Sequence, residues 1–164
     1  MTFFTKTALA VLLSTGMAHA HDYTVGDITI AHPMAFETAK TANVGGGYMT
    51  LTNAGEAPDR LMEVRVAQIP RVELHLSETD ANGVARMTKQ DGISLPAGET
   101  VALEPGGLHV MFMGLNGDPF EVGEKIEATL VFETAGEIAV TFNVEARTAQ
   151  THGGADHSGH KMAD

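Results

Sequence analysis

The sequence contains no cysteine. That absence excludes thiol exchange, cysteine nucleophiles, iron–sulfur clusters and zinc–thiolate sites. A blue-copper electron-transfer centre is excluded as well, because it requires a Cys ligand. Basic residues are scarce, ten Lys and Arg against 21 Asp and Glu, for a net charge of −11. Such a surface repels nucleic acid and anionic lipid and weakly concentrates cations. Aromatic residues make up only 5% of the chain. No apolar run reaches the roughly 20 residues a spanning helix needs, so stable membrane insertion is not expected. Nor does any stretch of helical length beyond the first twenty residues carry a 3.6-residue pattern.

The N-terminus sets the expected compartment. Lys6, the apolar run Ala8–Leu13 and the small-x-small site Ala18-His19-Ala20 have the three-part layout of a secretory signal peptide. The reading is therefore a leader over 1–20, one domain over 21–147 and a tail over 148–164, in a protein exported to the periplasm. Seven of the nine Met and seven of the eight His lie beyond the leader, an unusual stock of soft and borderline donors.

Period-two alternation dominates the domain. Ile126, Ala128, Leu130 and Phe132 share one face of the run Lys125–Phe132, as do Ile138, Val140, Phe142 and Val144 in Glu137–Glu145. Met62, Val64 and Val66 are expected to do the same, and so are Val72, Leu74 and Leu76 in Arg71–Ser77. Further strands are expected at Asp27–Ala31, Gly47–Asn53, Val84–Lys89, Thr100–Leu103 and Leu108–Leu115. Turn residues separate them, among them Asn82-Gly83, Pro96-Ala97-Gly98 and Pro105-Gly106-Gly107. About eight or nine short strands at this spacing point to an all-β Greek-key sandwich or barrel.

Two of these strands carry the residues of chemical interest. With Val72, Leu74 and Leu76 on the core face, His75 points outward. A hairpin loop centred on Ala81 would place Met87 directly opposite His75, with Cβ atoms ~5 Å apart. In Leu108–Met113, His109 and Met111 leave the same face, opposite Leu108, Val110 and Phe112. If the two segments meet, they offer two imidazoles and two thioethers. Thioether sulfur is soft and selects Cu(I) over zinc or hard cations. A single Met is more often packing and a single strand His more often a surface residue; four in this spacing point to a metal site.

The spacing His75-Leu76, Met87, His109-Val110-Met111 resembles the H(M)x10Mx21HxM signature of the periplasmic copper chaperone family PCu(A)C. Leu76 stands where that signature allows an optional Met. The flanking text is similar too: Gly47-Tyr48-Met49-Thr50-Leu51-Thr52-Asn53, Val72-Glu73-Leu74-His75 and Glu104-Pro105-Gly106-Gly107-Leu108-His109. Met34 departs from the family, which often has an aromatic there. The resemblance covers roughly Ile28 to Val144. It implies a cupredoxin-like β-sandwich, Cu(I) held at an exposed rim by His75, Met87, His109 and Met111, and no catalysis. It further implies copper delivery to a recipient, such as a cytochrome oxidase copper subunit or another copper chaperone, or copper homeostasis in the periplasm.

Secondary donors lie elsewhere. His152, His157, His160 and Met162 sit in a polar, glycine-rich tail without apolar pattern, which is expected to be disordered without metal and to form a second, weaker copper site, since imidazoles on a flexible chain favour Cu(II) or zinc and the thioether suits Cu(I). Cleavage after Ala20 would leave His21 as the N-terminal residue, the basis of an alternative copper-oxidase reading through a histidine brace with His32. His32 and Met34 also offer an accessory point of metal access, although His32-Pro33 reads more simply as the end of the first strand. A third reading is a plain sandwich binding module whose Met and His are packing. No nucleophile–base pair, phosphate-binding loop or paired-carboxylate motif suggests another enzyme.

Overall fold

The computed structural model describes residues 22–147. The expected leader, His21 and the tail candidates His152, His157, His160 and Met162 lie outside the described residues. Eleven strands follow in order: β1 (Tyr23–Val25), β2 (Ile28–Phe36), β3 (Val44–Asn53), β4 (Asp59–Arg65), β5 (Arg71–Thr79), β6 (Ala85–Gln90), β7 (Ile93–Leu95), β8 (Thr100–Leu103), β9 (Leu108–Met113), β10 (Lys125–Phe132) and β11 (Glu137–Glu145). The described residues contain no helix. The all-β architecture expected from the alternation is the one observed, with β1 and β7 as additions too short for periodicity to reveal.

The strands form one curled, nearly closed sheet in the order β6-β5-β9-β3-β2-β11-β10-β4-β7, with β1 beside β2 and β8 beside β3. All pairings are antiparallel except β11 with β2. Alternation decides which side chains enter the core. Ile126, Ala128, Leu130 and Phe132 of β10 are buried, and so are Val140, Phe142 and Val144 of β11. Phe112 of β9 is fully buried and meets Phe120 and Phe142 edge-on, with ring centroids 5.5 and 5.6 Å away. β3 passes these rings because it has no side chain there. A Cβ on Gly47 would come within 2.7 Å of Phe112 and 3.1 Å of Phe142.

Two bulges shift what simple alternation suggests. β2 does not end at Ala31. Its register with β3 slips between Ala31 and Met34, where His32 takes a φ of 49° and Pro33 is fully buried. A bulge accommodates proline's missing N–H and bends the strand, so Met34–Phe36 continue onward and pair with β11. In β4, Val131 faces Glu63 while Phe132 faces Leu61, which leaves Met62 without a partner. Met62 therefore points outward, and Leu61 joins Val64 and Val66 inside.

Asp59 ties the start of β4 to the β10–β11 turn. Its carboxylate accepts hydrogen bonds from the backbone N–H groups of Arg60, Thr134 and Ala135 at 2.7, 2.9 and 2.9 Å. Burial opposes the charge, but these donors together outweigh it and hold the carboxyl below its ordinary pKa. A depressed folded-state pKa gives stability that is present above the unfolded value and lost as pH falls through the folded one. Asp59→Ala is expected to cost about 1–2 kcal/mol at pH 7. In denaturant titrations the gap to the parent protein should narrow at pH 3 and below. An equal gap at both pH values would show that the ionised carboxylate is not responsible.

Candidate metal centre

Hydrogen bonding places β5 between β6 and β9. In the β5–β9 ladder His75 lies directly opposite His109, and Glu73 opposite Met111. Directly opposed residues project from the same face, and the two imidazole centroids are 5.9 Å apart. One ladder thus joins the two segments that the sequence left separate.

The β5–β6 register differs from the expected one. His75 faces Lys89, while Met87 faces Ser77. The cause is the loop Asp80–Val84. Asp80 Oδ1 accepts from the backbone N–H groups of Asn82 and Val84 at 2.9 and 3.0 Å, and the Gly83 N–H donates to the Asp80 carbonyl at 2.9 Å. Gly83 adopts a φ of 80°, which glycine tolerates without strain. The hairpin is consequently centred on Asn82 rather than Ala81. Moving the centre by one residue moves each partner by two, so Met87 is diagonal to His75 yet stays on its face.

Met87, His109 and Met111 line one open cleft of about 310 Å³, together with Ser77 and Gly46. His75 does not line that cleft; it adjoins His109 along the ladder. Phe36, Tyr48 and Arg147 form the far wall. The Phe36 and Tyr48 rings are 5.5 Å apart, and the Arg147 guanidinium lies 5.1 Å over Phe36. Burial pushes the Tyr48 phenol up, against the pull of Arg147. A Cβ on Gly46 would meet the Tyr48 hydroxyl at 2.5 Å, so glycine is what lets the ring lie along this wall.

The four donors differ in access. His109 is 5% exposed and Met87 is 52% exposed. His109 Nδ1 lies 3.0 Å from the Gly107 carbonyl, an acceptor only, so that nitrogen carries the hydrogen and Nε2 keeps its lone pair. His75 Nε2 lies 2.9 Å from Glu73 Oε2. His75 Nδ1 is buried and has no hydrogen-bond partner. An unsatisfied buried polar atom costs about 1–3 kcal/mol, and a metal ion is one way to satisfy it.

Glu73 was not expected to matter, although its place two residues before His75 puts it on the same face. Lys89 Nζ reaches Glu73 Oε1 at 3.3 Å, and Arg71 Nε lies 4.0 Å from the same oxygen. The hydrogen bond from His75, then those cations, lower the Glu73 pKa against the cost of desolvation. Met113 shares the face of Met111, but the Arg71 guanidinium sits 2.9 Å from its sulfur.

His32 and Met34 do not form a second point of access. His32 is exposed and pairs with Glu145 at 3.1 Å, whereas Met34 is buried. The bulge turns them to different sides. Among the described residues no three His, Asp or Glu side chains are placed to hold a metal ion. The donor set at the cleft is therefore imidazole and thioether, which fits a soft monovalent cation and not a hard divalent one.

Comparison with known proteins bears on the same region. A copper-bound PCuAC domain from PmoF2 is 35% identical, with a TM-score of 0.66, over 77% of this chain and 98% of that domain. Cu(I)-bound DR1885 from Deinococcus radiodurans is 26% identical, with a TM-score of 0.57, over 80% of this chain and 85% of that one. A putative lipoprotein of Leifsonia xyli subsp. xyli is 28% identical over 111 residues, 68% of this chain; the match spans 66% of that relative, just under two thirds of its length. The family described as "Putative lipoprotein LpqE-like" matches residues 28–144. With that match covering well over half of the sequence, the chain belongs to the LpqE-like lipoprotein family, and solved PCuAC domains share its fold.

Proposed function

We propose that this domain carries copper, binding one Cu(I) through His75, Met87, His109 and Met111 and releasing it to a recipient without chemical turnover. The observation that carries the reading is the orphaned, buried Nδ1 of His75 beside His109, whose own Nε2 is free, next to a cleft lined by two thioethers. The copper-bound PmoF2 domain and Cu(I)-bound DR1885 support it by likeness.

The four donors divide the work. His109, buried and fixed by Gly107, anchors the ion. Met87 stands half exposed on the edge strand β6, so an incoming ligand can displace its thioether first. Copper then passes through a shared intermediate and is never released as a free ion. Neutral imidazoles and thioethers add no negative charge, which keeps the ion exchangeable. The signal-peptide-like layout of residues 1–20 supports a periplasmic site for this work, and the recipient we favour is a copper subunit of cytochrome oxidase or another copper chaperone.

Anaerobic titration of residues 21–164 against a Cu(I) chelator tests the reading. One tightly bound Cu(I) per chain is expected, and it should persist when His152, His157, His160 and Met162 are all replaced by alanine. No copper retained against the chelator, or loss of the single equivalent with the tail donors, would contradict it.

A further inference from the structure

Glu73 does not line the cleft, yet both of its carboxylate oxygens are engaged. One carboxylate oxygen takes the His75 Nε2 at 2.9 Å, and the other takes Lys89 Nζ at 3.3 Å with Arg71 4.0 Å away. Lys89 sits directly opposite His75 in the β5–β6 ladder. The carboxylate is thus clamped between two strands with one oxygen aimed at the imidazole.

An ionised carboxylate only accepts hydrogen bonds. The nitrogen facing it must therefore carry the hydrogen, and in the neutral imidazole the lone pair moves to Nδ1. That is the buried atom without a partner. Across the ladder the arrangement is reversed: the Gly107 carbonyl takes the Nδ1 hydrogen of His109 and leaves Nε2 free.

We propose that Glu73 is a positioning residue that fixes the tautomer and ring orientation of His75, so that the two imidazoles present unlike nitrogens, Nδ1 from His75 and Nε2 from His109. The inference rests on the copper-binding reading for its purpose, but the carboxylate–imidazole link can be measured without metal. Partners of this kind orient a ligating histidine and raise its basicity. Without the carboxylate, the His75 ring is free to turn over and to carry its hydrogen on Nδ1, the wrong nitrogen for this geometry.

Long-range proton–nitrogen NMR of the metal-free chain reads the tautomers directly. The parent protein should show His75 protonated at Nε2 and His109 at Nδ1. Glu73→Ala should give a mixture at His75 while His109 keeps its tautomer, which also reports that the fold is intact. Glu73→Gln, whose amide oxygen still accepts, should restore the Nε2–H form. Cu(I) affinity should fall by about 10–100-fold in Glu73→Ala and by less in Glu73→Gln.

His75 protonated at Nδ1 in the parent chain, or an unchanged tautomer and affinity in Glu73→Ala, would overturn the proposal. A tautomer that responds to Glu73 in a chain that binds no Cu(I) would keep the hydrogen-bond link. It would end both the copper reading and the claim that the nitrogen choice serves copper.

Discussion

Met111→Leu is expected to weaken Cu(I) binding on the order of 100-fold, the upper end of what loss of even a supporting residue costs a metal site. The exchange conserves volume, so the fold should tolerate it; what it removes is one thioether sulfur. Met111 lines the cleft with His109 and Met87, and its ladder partner is Glu73. Met113 supplies the internal control. It lies two residues further along the same face, but its sulfur is engaged by Arg71. Met113→Leu should leave affinity unchanged in the same chelator competition. Equal losses in both variants would show that thioether content, not this cleft, governs binding.

Phe112→Ala is expected to remove about 3–5 kcal/mol of stability. The ring is fully buried, packs edge-on against Phe120 and Phe142, and fills the space that Gly47 leaves open. Domains of this size hold only about 5–15 kcal/mol in all, so the variant should unfold at a much lower denaturant concentration. Phe112 also alternates with Met111 and Met113 on β9, which links core packing to the aim of the thioether. Copper binding should therefore weaken as well, through the strand rather than through lost contact. A stability change below about 1 kcal/mol would mean that β9 is not anchored as described.

The sequence carried the strands because each core residue repeats at period two, and β10 and β11 kept that phase to their ends. It misled where one residue was inserted. Met62 has the right spacing to join Val64 and Val66, but an unpaired position in β4 hands its place to Leu61. His32-Pro33 looks like a strand end because proline breaks a ladder, yet a bulge absorbs it and the strand continues. Neither event has a signature in alternation alone.

The candidate site followed the same logic. The His and Met positions were legible from their spacing, and their shared faces from parity. The β5–β6 register was not, since it depended on Asp80 bonding two backbone N–H groups and lengthening the loop. Parity protected the conclusion, because a two-residue change leaves Met87 on the face of His75. Glu73 was passed over for a different reason: a carboxylate on an outward strand position looks solvated until Lys89 and Arg71 are seen to close around it.

X-ray absorption at the copper edge of the Cu(I)-loaded chain, residues 21–164, tests the central claim most directly. Two sulfur neighbours at roughly 2.3 Å and two nitrogen neighbours at roughly 2.0 Å are expected, by analogy with sulfur (as thiolate) and imidazole ligands on zinc. A shell of nitrogen and oxygen alone, with no sulfur, would contradict a site built from these two thioethers and two imidazoles.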